Sequence, residues 1–592
     1  MTQTMHDVAI VGGGIGGSLL GAVLARNGVD VALIEATPHP RFAIGESTIP
    51  EASSLMRVLA ARYGVPELAY LGSYADLQRI VPAAGVKRNF SYVLHHDDEP
   101  AQGRETVQAA TLPPPFGPDM HYLRQDVDAY LYALAIRYGA VPRSGLLVKE
   151  ADFASDSVTL QAENGGWVTA RYVVDAGGRN ALIPRQLGLQ DPEPRFLTRT
   201  RSLFTHMTGV LPWDTVGPPR TEHGMPFPFH QGTLHHVFDG GWMWVIPFDN
   251  HRMSASSLCS VGINLDIDKY PHDPELLPEN EFRQIVGRFP SVKAQLAQAR
   301  AVRPYMATPR NQFSAQHIVG DRYCLLPHAA EFVDPLNSTG LAVTASCVNA
   351  LAHRLIEASR DGDFSTERFA YIEEWTKRSF DCADKFAWNM YTSFSGDIRL
   401  MNAGLRPLAL LGLYSTLSPM ETWMRYQQTK DPHVFDRMER APLRGVLSAD
   451  NPVLQQYLDD SVEDFRAYRD GKQTAEETVK AVCRHPVMHT WAPPVLKDRW
   501  TDPDCRTVVG TFSFGVMAQL LYWSKYQAPK EIRDVYLSPA VVPGALRETA
   551  RQMRRQLRQA YNVIQPYTRD YAKFWNNDWQ AKARTPRTSP GS

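Results

Sequence analysis

The sequence predicts an α/β fold: a nucleotide-binding domain interrupted by an inserted mixed sheet and followed by a mainly helical C-terminal region. Three observations predict it. Residues 7–35 read as strand, glycine turn, helix and strand; residues 196–300 hold several strand-like runs; and from about residue 370 long helix-like stretches dominate. A chain of 592 residues is too long for one ordinary compact domain, and its 44% hydrophobic content supplies apolar material for large cores.

In the first unit, "VAIV" is a short buried-strand run, and Ser18, Leu19, Leu20, Ala22, Val23 and Leu24 make a mostly apolar helix before the strand "VDVALIE". Gly12, Gly14 and Gly17 have GxGxxG spacing. The first allows a tight turn, the second leaves room for a pyrophosphate over the helix N-terminus, and the third lets helix and strand approach. Glu35 ends the second strand, where a carboxylate can accept hydrogen bonds from an adenosine ribose. It favours an unphosphorylated ribose and leaves FAD and NAD both open.

Next, "RFAIGESTIPEASSLMRVLAARYG" predicts a loop and a helix capped by Ser47 or Thr48, with Pro50 in the first turn. Residues 86–96 suit a strand, and residues 97–120, with acids, glycines and "LPPPFGP", suggest an exposed excursion. A helix follows Arg124, and a strand and glycine turn meet at Asp175 to Gly178. "SLFTHMTGV", "GTLHHVFDG", "GWMWVIPF" and "SASSLCSVGINL" predict a mixed or antiparallel sheet inserted into the nucleotide domain. Residues 305–365 predict a strand, a loop and a long helix that return the chain to that domain.

Composition narrows the function. With 62 basic and 63 acidic residues the formal charge is −1, and no basic block interleaves with aromatics, so nucleic acid is not expected as a partner. The six cysteines form no CxxC pair and predict buried thiols in a reducing compartment. The N-terminus enters a strand without a secretory leader pattern, and no apolar run suits a membrane span; a cytoplasmic protein without integral membrane association is the expectation. Histidines 95, 96, 235, 236 and 251 lack metal-ligand spacing, so no metal site is expected. Trp242 and Trp244 share one face of a strand, where they serve a core or wall a flat cofactor. "NSTG" at 337–340 suits either a cofactor-binding or an ordinary loop.

Together, "GGGIGG" (12–17), "RFAIGESTIP" (41–50), "GVKRNF" (85–90), "DAGGR" (175–179), "GWMWVIPF" (241–248) and "PHAAEFVDPLNSTGL" (327–341) resemble the flavin-dependent halogenases, a branch of the FAD monooxygenase superfamily. The likeness is greatest to the branch acting on phenolic aromatic polyketides, to which the chlorinase of chlortetracycline formation belongs. It spans roughly residues 6–380 and weakens through the helical end.

The resemblance implies a FAD monooxygenase-like nucleotide domain and a two-component enzyme: a separate flavin reductase supplies reduced FAD by diffusion, and oxygen and chloride yield hypochlorous acid. This oxidant passes through a tunnel marked by Trp242, Trp244, Ile246 and Pro247 to Lys87, which directs chlorine onto a small, electron-rich aromatic. Gly12, Gly14, Gly17, Glu35, Glu46, Ser47, Arg124, Asp175, Asp334 and Gly340 are implied FAD contacts, and Pro335, Ser338, Thr339 and Gly340 the halide and flavin loop. Relatives acting on tryptophan carry glutamate before the Ser-Thr-Gly run; Asn337 here implies a self-activating phenol, since an amide is no base at neutral pH. The alternatives are a FAD-dependent aromatic hydroxylase and a noncatalytic flavin-binding module.

The expected division is a discontinuous FAD-binding domain (1–85, 110–195 and 301–370), a substrate-side sheet region (86–109 and 196–300), a helical cap (371–581) and a flexible tail (582–592). The substrate-side base and the oligomeric state are not legible in the sequence.

Overall fold

The computed structural model describes residues 5–113, 116–252, 254–509, 514–533, 535–538 and 542–565. The expected tail at 582–592 and the last part of the expected cap lie outside these residues. Met1–Pro539 form one compact unit and Ala540–Ser592 a second, whose described part is the helix Val542–Gln565.

The first sheet is built on the strand His6–Val11, flanked in parallel by Val31–Glu35 and Trp167–Asp175; Val141–Ser144 and Tyr323–Leu325 extend the parallel array outward. The central strands are apolar runs because both their faces are covered, whereas the edge strand Val141–Ser144 is polar and largely exposed. The helix Ile15–Arg26 packs on both Arg124–Arg137 and Gly340–Asp361. Ala9, Ala32 and Val173 pack with Val158, Leu160 and Ile183 in a separate core cluster.

The second sheet runs in the order Arg300–Ala301, Thr200–Thr208, Cys259–Asp266, Gly241–Pro247, Thr233–Phe238, Asn89–Leu94, Thr106–Ala110 and Thr507–Val509. It is mixed, since Thr233–Phe238 pairs parallel with Asn89–Leu94 while its neighbours from 200 to 266 are antiparallel. The two-residue period decides what faces the site. Met243, Val245, Val261 and Ile263 join Phe282 and Phe289 in one core, which leaves Trp242 and Trp244 on the opposite face.

Three expectations are corrected. Residues 97–120 are not an exposed excursion: 97–100 are exposed, but Thr106–Ala110 is a sheet strand and Asp119–His121 is wholly buried. The helix Pro50–Tyr63 has Ile49 at its N-cap and no side-chain cap, because the hydroxyls of Ser47 and Thr48 are used across the chain. The strand expected at 86–96 is split, Gly85–Lys87 pairing with Asp119–His121 in a two-stranded ribbon and Asn89–Leu94 joining the large sheet. Beyond Asp361 the described elements are helices apart from the edge strand Thr507–Val509; the helix Ile398–Thr429 packs on Pro50–Tyr63 and on Thr366–Ser393. All six cysteines are free and five are buried.

Candidate active site

The glycine turn forms a cradle. Gly12 has φ +109°, and a Cβ there would stand 2.6 Å from the Ala176 carbonyl oxygen; a Cβ on Gly17 would collide with the Gly12 oxygen at 1.9 Å. Gly14 caps the helix Ile15–Arg26 without a side-chain bond, and a Cβ there would meet only Arg41 Nη2 at 3.1 Å and Asp128 Oδ2 at 3.9 Å. The helix N-terminus therefore presents its amides and dipole to an anion. Glu35 is buried, accepting from the Gly13 amide at 2.9 Å, the Thr37 amide at 2.9 Å and Arg41 at 3.3 Å. A carboxylate has about four acceptor sites, so one remains for a ribose hydroxyl. The open cradle and this acid fit a dinucleotide.

Arg124 grips Asp128 through two bonds, of 2.8 and 3.0 Å, and donates to the Ile44 and Gly45 carbonyls, bracing the loop that leads to Glu46. Glu46 Oε1 lies 2.8 Å from His206 Nε2, with both side chains buried. Asp175 accepts from the Gly177 and Ile183 amides at 2.9 Å each, so its oxygens hold the turn after its own strand.

Lys87 is wholly buried. Its Nζ donates to Ser47 Oγ at 2.6 Å and to the Thr48 carbonyl at 2.7 Å, and sits 3.5 Å from the centre of the Phe90 ring. All three contacts receive positive charge. Burial nevertheless pulls its pKa well below the usual lysine value, against the opposing pull of Asp119, its partner in the ribbon. Burial raises Asp119 to about 6 although Ser53, Lys87 and Arg57 favour its charged form. Ser53 donates to its Oδ1 at 2.6 Å, and its buried Oδ2 has no partner among the described residues. Arg88, next in sequence, is exposed and bonds Gln231 at 2.9 Å.

Behind Ser47 the network continues. Ser47 Oγ lies 2.8 Å from Thr233 Oγ1, which lies 3.0 Å from His121 Nε2, and His121 Nδ1 lies 2.8 Å from the Pro247 carbonyl oxygen. Burial lowers His121 to about 3, so its ring is neutral. The tryptophan strand thus ends on a bond that leads back to Lys87. Asn250 fastens the same end, exchanging bonds of 2.8 and 2.7 Å with the backbone of Val86.

Trp242 and Trp244 are buried with ring centres 5.8 Å apart. Opposite Trp244 stands Gly262, where a Cβ would fall 2.2 Å from the indole; only glycine leaves the ring its place. Ile246 is buried, and its neighbour Pro247 supplies the carbonyl that His121 holds. Asp334 joins three elements: one oxygen accepts from Trp242 Nε1 at 3.2 Å and the Leu336 amide at 3.0 Å, the other from Thr200 at 2.8 Å and Tyr391 at 3.0 Å. Beyond Pro335, Asn337 and Ser338 have φ of +70° and +59°, and strained backbone of this kind is common at ligand clamps. The helix Gly340–Asp361 starts there without a side-chain cap; Thr339 precedes it, and a Cβ on Gly340 would press His328 at 2.9 Å.

An apolar cavity of about 150 Å³ lies beside this loop, with Phe90, Tyr92, Asn337 and Thr339 on one side and Leu405, Leu413 and Trp500 on another. Tyr92 donates to Asn337 Oδ1 at 2.8 Å. Phe90 forms part of the cavity wall and also contacts the lysine ammonium. Sequence reasoning missed Phe90, His121 and Thr233 as site residues, and with them Glu51, which also lines the cavity. "GVKRNF" and "GESTIP" end on or beside Phe90 and Glu51, whereas nothing local marks His121 or Thr233. No group of acids, cysteines and histidines among the described residues could hold a metal ion.

A family profile for the FAD binding domain matches residues 5–368. With the cradle around Gly14, this defines the protein's class as a FAD-binding enzyme of mixed α/β architecture. Monodechloroaminopyrrolnitrin halogenase PrnC of Pseudomonas fluorescens is 38% identical over 90% of this chain and 93% of its own length. Tetracycline 7-halogenase of Kitasatospora aureofaciens is 38% identical over 91% and 97%. The crystal structure of halogenase PltM in complex with phloroglucinol and FAD matches with a TM-score of 0.80 and 31% identity, covering 85% of this chain and all of that one. The chain belongs to the flavin-dependent halogenases. No helix among its described residues is long and apolar enough to cross a membrane.

Proposed function

We propose that this halogenase chlorinates a phenolic, polyketide-like aromatic, using reduced FAD delivered by a separate flavin reductase and transferring chlorine through Lys87. The observation that carries the reading is a fully buried lysine whose contacts include Phe90, part of the wall of an apolar cavity that also contains Asn337. Bound reduced FAD supplies the electrons with which oxygen converts chloride to hypochlorous acid. Trp242, Trp244 and Ile246 line the oxidant's passage, and their burial keeps it from water. Lowering of the Lys87 pKa makes the neutral amine accessible; its nitrogen lone pair takes chlorine from hypochlorous acid, the N–H proton leaves with hydroxide as water, and the chlorine is held for an aromatic carbon. Orientation replaces reactivity in setting which carbon is attacked.

The named relatives support an aromatic acceptor, one being a tetracycline halogenase and PltM having been crystallised with phloroglucinol. The test supplies purified protein with a flavin reductase, FAD, NADH, oxygen and chloride, and a panel of phenols alongside monodechloroaminopyrrolnitrin. Chlorinated phenols are expected by mass spectrometry; exclusively hydroxylated products would overturn the proposal in favour of an aromatic hydroxylase. Lys87→Ala is expected to keep FAD binding and hypochlorite formation while losing regioselective chlorination. Wild-type turnover by that variant would remove Lys87 from the mechanism.

A further inference from the structure

We propose that Glu51 is the base that ionises the phenolic substrate, an inference that rests on the phenol chlorination proposed above. The cavity walled by Phe90 is lined by apolar, amide and hydroxyl side chains, and among the described residues Glu51 is the one carboxylate in its wall, where no described lysine, arginine or histidine stands. The residue occupies the first turn of the helix Pro50–Tyr63 and is 3% exposed. Thr48, just before the helix that carries Glu51, gives the carbonyl that Lys87 grips, so base and halogen-bearing residue are fixed by one short segment.

The carboxylate also borders a second, smaller chamber that contains Ser346, Ser415, Ser418, Ser448 and Tyr536. Leu447 donates its amide to Glu51 Oε2 at 3.4 Å, and that amide also donates to Ser415 Oγ at 2.8 Å. Ser418 Oγ is buried without a partner among the described residues. Glu51 thus separates an apolar chamber suited to an aromatic ring from one lined with hydroxyls that can receive a proton and pass it on. A structural acid would need a cation, and among the described residues none borders either chamber.

Burial raises Glu51 to about 7, with Ser415 and the Leu447 amide pulling the other way. Among the described residues, the other titratable groups that line the two chambers are Tyr536, pushed by burial to about 12, and Tyr92, also raised, while the Cys382 thiol that interacts with Glu51 is likewise pushed to about 12. All three stay protonated near neutrality, which leaves Glu51 as the group that titrates there. In the step, the phenolic O–H bond breaks and its proton joins a Glu51 oxygen. The electron pair left on the phenolate enters the ring, an ortho or para carbon takes chlorine from the lysine nitrogen, and the N–Cl pair stays on nitrogen. The carbon then releases its proton to the lysine nitrogen, which restores the amine, and aromaticity returns. Against a phenol near 10 the first transfer is uphill by a factor of about 10³, which rapid capture by electrophilic chlorine draws forward.

The experiment compares wild type and Glu51→Gln in the full reductase-coupled system on fluorinated phenols of graded acidity, from pH 6 to 9. Glutamine preserves the shape and mimics the protonated acid, so FAD binding, melting below pH 7 and hypochlorite yield should match wild type. Chlorination of the least acidic phenol should fall by about 10²-fold at pH 7, the loss should shrink as the phenol becomes more acidic, and the acid limb near pH 7 should vanish. Equal chlorination by both proteins, or an equal loss on every phenol, would overturn the role of Glu51 and leave the phenol reading standing. A wild type that chlorinates no phenol would overturn both.

Discussion

Replacing Thr233 by valine tests the network that orients Lys87, because the two side chains share a shape and differ by one hydroxyl. Both ends fix the hydrogen positions. The Pro247 carbonyl only accepts, so His121 carries its proton on Nδ1, and the neutral ring must accept at Nε2. Thr233 therefore donates to His121 and accepts from Ser47, whose lone pairs then face the Lys87 ammonium. Valine orphans two buried polar groups, His121 Nε2 and the Ser47 hydroxyl hydrogen, at roughly 1–3 kcal/mol each. The expected loss is about 2–6 kcal/mol, read as a lowered Tm of the FAD-loaded protein. Ser47 is also free to turn its hydrogen toward the lysine, so more hypochlorite should escape uncaptured, measured with an external trap in chloride turnover. Thr233→Ser, which keeps the hydroxyl, should restore both. An unchanged Tm together with an unchanged ratio of chlorinated product to trapped oxidant would refute the relay.

Two further outcomes follow from the cradle and the Asp334 junction. Gly14→Val places carbon in the open space over the helix N-terminus and should weaken FAD binding at least about tenfold with the apoprotein fold intact by circular dichroism; an unchanged Kd by fluorescence titration would place the pyrophosphate elsewhere. Asp334→Asn exchanges an acceptor oxygen for a donor and should break two of four bonds, at about 1–3 kcal/mol each. Burial raises Asp334 from 3.8 to about 6, so the stability linked to its protonation is full below about pH 4 and lost as pH rises through 6. The variant's deficit in chemical denaturation should accordingly be larger at pH 4 than at pH 8, and the opposite trend would refute the assignment.

What was legible in the sequence was what is local. The strand, glycine turn and helix at 6–35 follow from a short-range pattern, and each of the four strand-like runs between 200 and 266 holds a strand. Strand alternation also put Trp242 and Trp244 on one face, where they are. Lys87 stood out only beside "GWMWVIPF" and "DPLNSTG", and its surroundings were hidden because Ser47, His121, Thr233 and Pro247 meet through a ribbon and two strands far apart in the chain. Residues 97–120 misled through their composition: acids, prolines and glycines read as exposed loop, yet Asp119 and His121 are buried by pairing with Gly85–Lys87. Glu51 was disguised in another way, since an acid in the first turn of a helix is ordinary sequence.

The absence of a glutamate at 337 now has a physical reading that does not depend on the reaction. Residue 337 is 3% exposed, has φ +70° and holds the Tyr92 hydroxyl. Asparagine tolerates that backbone better than glutamate does, and a carboxylate there would be buried in a cavity wall without a cation. At 51 a carboxylate is less costly, since it sits in the first turn of a fourteen-residue helix, where the dipole favours negative charge, and has an amide and a serine within reach. The cavity thus keeps its one acid where the backbone can carry the charge. The neutral residue stands where the chain must turn through a left-handed conformation, and the two positions face the same aromatic-sized space from different elements.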